Sequence, residues 1–125
     1  MQVEKHPKFH KWLDELRDIR AVARIAKRID MLALGNPGDV EPVGEGISEL
    51  KIDYGPGYRV YFRKEGQVLY ILLCGGDKST QRKDIATARK LAADRDAELT
   101  TMNKAAAAAA EAKKAKEKRK KPKSK

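Results

Sequence analysis

The apolar residues of this chain change their period once, and that change restricts the fold more than any other feature. Phe9, Trp12, Leu13 and Leu16, then Val22, Ala23, Ile25, Ala26, Ile29, Leu32 and Ala33, recur at i, i+3, i+4 and i+7. That spacing places them on one side of a helix with a 3.6-residue turn. It predicts two helices, about 7–18 and 19–34, packed as an antiparallel pair. Gly35-Asn36-Pro37-Gly38 then stops the pattern, since glycine and proline both oppose helix continuation. Beyond it the period falls to 2, the signature of extended strands.

Ile47 to Tyr54 and Tyr58 to Lys64 alternate, with Gly55-Pro56-Gly57 as the turn between them. Glu65-Gly66 marks a second turn, and Gln67 to Cys74 is almost wholly apolar, as in a strand buried on both faces. The three strands form an antiparallel meander, and Gly75-Gly76 is expected to end the third. A last helix of about 80–95 follows, with Ser79 or Thr80 as its N-cap, and Gln2 to Lys5 forms a short edge strand. The expected class is α+β: a helix pair on a mostly antiparallel, partly exposed sheet, then one more helix.

Composition changes again after Asp96. Residues 1–96 carry 18 basic and 15 acidic side chains, whereas 97–125 carry 10 and 3. Most of the net charge of +10 therefore belongs to a tail with six consecutive alanines, Ala105 to Ala110, and a lysine-rich end. The expected organisation is a domain over 1–96 and a mobile basic tail over 97–125. Alanine favours helix there while lysine repulsion opposes it. A basic balance of this size directs attention to polyanions such as nucleic acid. The stretch from Met1 to Trp12 is charged from Glu4 onward, and no apolar run approaches the roughly 20 residues of a membrane span. The expectation is a cytoplasmic protein with no membrane partner. One cysteine, Cys74, allows no internal disulfide and no thiolate zinc cluster; no cofactor or metal is expected.

Strand parity sorts the charged residues. Leu50, Ile52, Tyr54, Tyr58, Val60 and Phe62 point to one face of the meander, and Glu49, Lys51, Asp53, Arg59, Tyr61 and Arg63 to the other. Two readings of that second face stand open. It is either a solvated face held by cross-strand ion pairs, or a cationic surface that clamps a phosphodiester with a carboxylate or tyrosine at hand for proton transfer. Other features carry less. His6 and His10 have i, i+4 spacing but no third ligand, and Cys74 reads as inert packing. Trp12 reads as core. Gly75-Gly76-Asp77-Lys78 lacks the spacing of a phosphate loop, and Asp77 with Asp84 forms a possible carboxylate pair.

The order of motifs is itself informative. It runs Phe9-x-x-Trp12-Leu13-x-x-Leu16, Ala26-Lys27-Arg28-Ile29-Asp30, Gly35-Asn36-Pro37-Gly38-Asp39 and Gly44-Glu45-Gly46-Ile47-Ser48-Glu49-Leu50. It continues with Tyr54-Gly55-Pro56-Gly57-Tyr58-Arg59-Val60-Tyr61 and Leu72-Leu73-Cys74-Gly75-Gly76-Asp77-Lys78-Ser79-Thr80-Gln81. Over about residues 1–95 this resembles the HigB-like addiction-module killer proteins of the RelE/ParE superfamily. The resemblance implies a type II toxin and a RelE-like fold. It also implies ribosome-dependent cleavage of mRNA, by attack of a ribose 2′-oxygen on the adjacent phosphate. Under it, Arg59 matches the arginine that contacts the scissile phosphate, Lys51 a catalytic basic residue on the preceding strand, and Lys78 the basic position after the last strand. Glu49 takes a carboxylate role. Arg63, Arg82 and Lys83 are expected to bind nucleic acid. The stretch Gln81-Arg82-Lys83-Asp84-Ile85 lacks the aromatic residue that many RNA-cleaving relatives carry, which leaves three readings: Tyr61 or Asp84 substitutes, catalysis works differently, or the chain does not cut RNA.

The implied partners are a cognate antitoxin, expected to be a helix-turn-helix protein, the ribosome with its mRNA, and operator DNA through the antitoxin complex. Two alternatives remain beside the endoribonuclease: a non-enzymatic ParE-like toxin that poisons DNA gyrase, and a repurposed basic nucleic-acid-binding module whose tail is the working part.

Overall fold

A computed structural model describes residues 1–120, with side chains through residue 112. The elements in order are β1 (Gln2–Lys5), α1 (Pro7–Glu15), α2 (Ile19–Ala33), β2 (Val40–Gly44), β3 (Ile47–Ile52), β4 (Tyr58–Glu65), β5 (Leu69–Asp77), a 3-10 turn (Lys78–Thr80) and α3 (Gln81–Lys120). One open five-stranded sheet has the order β1-β5-β4-β3-β2. β1 runs parallel to β5 and every other pair is antiparallel. The class is α+β.

Local chemistry explains the helix starts. His6 adopts extended backbone and its Nδ1 accepts from the Lys8 amide at 3.0 Å, with Pro7 at the first helical position. The first helix ends at Glu15, earlier than expected, because Asp18 takes extended backbone and caps α2 through the Arg20 and Ala21 amides. Asp77 caps the 3-10 turn that leads into α3.

The sheet carries a core on each face. Under α1 and α2 lie Phe9, Ile25, Ile29, Leu32, Leu50, Ile52, Val60, Phe62 and Leu72. Under the first turns of α3 lie Ile47, Tyr61, Ile71, Leu73 and Cys74, packed on Ala88 and Ala92. The second face is therefore covered over much of its area, where a partly exposed sheet was expected. Ile85, Ala88, Leu91 and Ala92 supply the apolar stripe that requires this burial. A register shift opposite Tyr61 and Phe62 leaves Leu73 as the extra residue of a β-bulge, and Leu73 and Cys74 both join the α3-side core.

The strand expected to stop at Cys74 continues to Asp77. Gly75 and Gly76 are strand residues on opposite faces, each at a point of close approach. A Cβ on Gly75 would lie 2.3 Å from the Trp12 ring, and one on Gly76 would lie 1.8 Å from Asp84 Oδ2. α1 and the start of α3 thus reach the sheet only because these two residues lack side chains. β2 was not foreseen. It is a short edge strand containing Pro42, a residue that edges tolerate and central strands do not.

The chain divides into two units, Met1–Ala92 and Ala93–Lys125. In the second, the helix expected to end near 95 runs on through the alanine tract to Lys120. No glycine or proline interrupts the sequence between Gly76 and Pro122, and alanine is the strongest helix former. The last five residues of the expected basic tail, 121–125, lie outside the described residues. No helix among the described residues is long and apolar enough to cross a membrane.

A cationic pocket at the ends of the central strands

The two central antiparallel strands deliver most of the predicted site. Lys51 lies opposite Arg59 in the β3–β4 register, and Arg59 lies opposite Gly76 on β5, two residues before Lys78. These three cations line one pocket of about 250 Å³, with Asp39, Asp53 and the turn Gly55-Pro56-Gly57. Gly57 adopts φ +80°, and a Cβ there would lie 3.4 Å from Arg59 Nη1 and 3.5 Å from Lys78 Cβ. The turn needs glycine for its left-handed backbone, and a Cβ there would meet the two cations only at ordinary contact distance.

Arg59 is fixed from below. Its Nη1 donates to the Gly57 and Tyr58 carbonyls, each at 3.1 Å. Its Nε lies 3.5 Å from Glu49 Oε1, within ion-pair range but without a hydrogen bond. Glu49, only 1% exposed, accepts from Tyr61 Oη at 3.2 Å and from Gln81 Nε2 at 2.6 Å. A buried carboxylate is tolerable only with such partners. Burial, reinforced by the Glu49 charge and hydrogen bond, pushes the Tyr61 phenol well above its ordinary range. Tyr61 has no exposed surface. Glu49 and Tyr61 therefore lie behind the pocket, where they brace Arg59.

Lys51 is held by Glu41 of β2 at 2.9 Å, and that hydrogen bond raises the ammonium pKa above its usual value. Arg28 of α2 fastens the same region: its guanidinium donates to the Lys51, Pro37 and Asp39 carbonyls. Among the described residues no carboxylate lies within ion-pair distance of Lys78, which is exposed at the pocket rim.

The remaining predicted residues fall elsewhere. Arg63 is at the far end of β4, bonded to Glu65 at 2.6 Å. Lys83 lines a different cavity of about 540 Å³ with Lys8, Lys11, Trp12 and Asp84. Arg82 is exposed in the first turn of α3 and lines neither cavity. Asp84 accepts from Thr80 Oγ1 at 2.5 Å, and burial raises its pKa. Asp77 is lowered by its hydrogen bond to Ser79; the two carboxylates each serve the turn into α3. Sequence reasoning missed Gln81, Arg28 and Asp39. The only advance signal for Asp39 and Arg28 was their place in the motifs flanking Gly35–Gly38.

Fold and pocket define a small α+β protein with a cation-lined site at one end of its central strands. Residues 11–95 match the family model described as phage-derived protein Gp49-like (DUF891), so the chain belongs to that family, which falls in the RelE-like group of toxin–antitoxin toxins. It is also 51% identical over 94 residues to an uncharacterised protein of Haemophilus influenzae, an alignment covering 75% of this chain and 95% of that protein. Membership of a toxin–antitoxin family implies an antitoxin partner.

Proposed function

We propose that this chain is a ribosome-dependent mRNA endoribonuclease, the HigB-like toxin of a type II pair, neutralised by an antitoxin of the helix-turn-helix type. The observation that carries this reading is the convergence of Lys51, Arg59 and Lys78 on one pocket with two carboxylates, Asp39 and Asp53, in its lining. Cleavage by the neighbouring 2′-hydroxyl forms a P–O2′ bond and breaks the P–O5′ bond. Charge grows on the phosphoryl oxygens in between, and fixed cations stabilise it most where water is excluded. Arg59, braced by Glu49 and the Gly57 and Tyr58 carbonyls, meets the scissile phosphate. Lys51 exchanges Glu41 for a phosphoryl oxygen. Asp39 or Asp53 accepts the 2′-hydroxyl proton, and the Lys78 ammonium donates one to the leaving 5′-oxygen. The ribosome holds the mRNA in an attack-ready geometry.

The test incubates purified protein with programmed ribosomes and with free mRNA, and maps 5′ ends by primer extension. Arg59→Ala is a compromised control, because it strands the buried Glu49 charge. Lys78→Ala is cleaner: an exposed substitution should leave stability within about 0.5 kcal/mol while cleavage falls about 100-fold or more. Intact mRNA in both tubes with folded protein defeats the reading.

One observation favours a second reading. Glu49 and Tyr61, both expected in the chemistry, have almost no exposed surface, and a non-enzymatic gyrase-directed toxin needs neither. A gyrase supercoiling assay separates the two.

A further inference from the structure

The pocket does not end at Asp53. A second cavity of about 250 Å³ is lined by Arg24, Lys27, Arg28 and Met31 of α2 with Ile52 and Asp53, so Asp53 belongs to both linings. The apolar stripe of α2, Ala21, Ile25, Ile29 and Leu32, is buried, which leaves Arg20, Arg24 and Lys27 as an exposed row at i, i+4 and i+7. On a helix rising 1.5 Å per residue that row spans roughly 10 Å. The Arg24 guanidinium stands 4.6 Å above the Tyr54 ring, which orders it without neutralising it. Asp18, the N-cap of α2, accepts from Tyr54 Oη and two backbone amides. Arg28 is committed to three carbonyls.

We propose that Arg24 and Lys27 form a second phosphate subsite continuous with the Lys51–Arg59–Lys78 pocket, so that one single-stranded RNA lies across both with Asp53 between them. Two cation clusters joined through a shared residue fit a chain of regularly spaced phosphates better than a single anion. Asp53 at the junction is exposed and accepts hydrogen bonds, which ribose hydroxyls and base amino groups of a crossing strand can donate. The inference deepens the nucleic-acid reading of the pocket and rests on it, but its test does not depend on cleavage.

The experiment measures binding of a short fluorescein-labelled single-stranded RNA to the full chain by anisotropy, across a salt series. Each phosphate neutralised on a single strand contributes about 0.7 to the slope of log affinity against log salt. Arg24→Gln with Lys27→Gln should therefore lower the slope by about 1.4, a loss of roughly 25-fold at about 0.1 M salt that vanishes near 1 M. Lys8→Gln with Lys11→Gln removes the same charge from α1, whose cavity shares no residue with these two, and should leave the slope close to that of the parent protein. An equal drop in both variants means that net charge alone is read, and overturns the proposal; so does an unchanged slope in the α2 variant. Poly-glutamate bound as tightly as RNA, and lost in the same α2 variant, assigns the surface to an acidic protein and also overturns it. Ribosomal cleavage is scored separately: loss of the α2 slope effect with cleavage intact rejects only this inference, and the converse rejects only the nuclease.

Discussion

Beneath α1 and α2 the sheet buries Phe9, Ile25, Leu50, Val60 and Leu72 with no charged side chain among them, whereas the opposite face buries Glu49 and Arg59 near Ile47, Tyr61 and Leu73. The first core is dry and stabilises by apolar area removed from water, a non-directional effect. The second mixes packing with a directional network in which Tyr61 and Gln81 satisfy Glu49, and Glu49 sets the position of Arg59. A buried ion pair is weak evidence for stability, since an apolar replacement often does as well. Its use here is geometric. One face holds the molecule together while the other orients the guanidinium at the floor of the pocket.

Substitutions on the two faces should separate these roles. Phe9→Ala, which empties a fully buried site on the dry face, should cost about 3–5 kcal/mol in urea unfolding and lower RNA cleavage only as far as folded protein is lost. Tyr61→Phe keeps the ring but withdraws a hydrogen bond from a buried carboxylate. It should cost about 1.5–3 kcal/mol and, unlike Phe9→Ala, reduce the turnover of the folded fraction. Equal specific activity in the two variants would break the division of labour. Gly75→Ala drives a methyl into the Trp12 ring and should cost about 1–3 kcal/mol, with a shift in the emission of the single tryptophan.

The last effect is one of pH, confined to the alkaline side. Burial, with Asp84 adding to it, raises the Cys74 thiol to about 12. The folded chain then keeps a proton that the unfolded chain releases near the ordinary value of 9.0. That contribution is complete below the unfolded pKa and is lost as pH rises toward the folded one. The urea midpoint should fall on the alkaline side, and Cys74→Ala should flatten the fall. An unchanged alkaline limb would mean that Tyr61, raised on the same face, carries the whole effect.

Periodicity read much of the fold correctly because it depends only on neighbours along the chain. The helix pair, β3, β4 and the parity that places Lys51 and Arg59 on one side follow from it. The terminal edge strand was also visible in Gln2 to Lys5. β2 was not, since Val40–Gly44 has neither alternation nor length, and it becomes a strand only because β3 offers a free edge. Parity named the charged face without revealing that α3 covers part of it, although Ile85, Ala88, Leu91 and Ala92 signalled a helix in need of a surface.

The sequence alone therefore determined the helix pair, the meander strands, the faces of β3 and β4 residues and the resemblance that names the toxin group. Tertiary structure decided that Glu49 and Tyr61 support the pocket from behind, that Gly75 and Gly76 are docking points within a strand, and that Asp39, Asp53 and Lys78 join Lys51 and Arg59. The physical reason is that side-chain direction is a local property of the backbone, whereas burial depends on which distant segment docks against it.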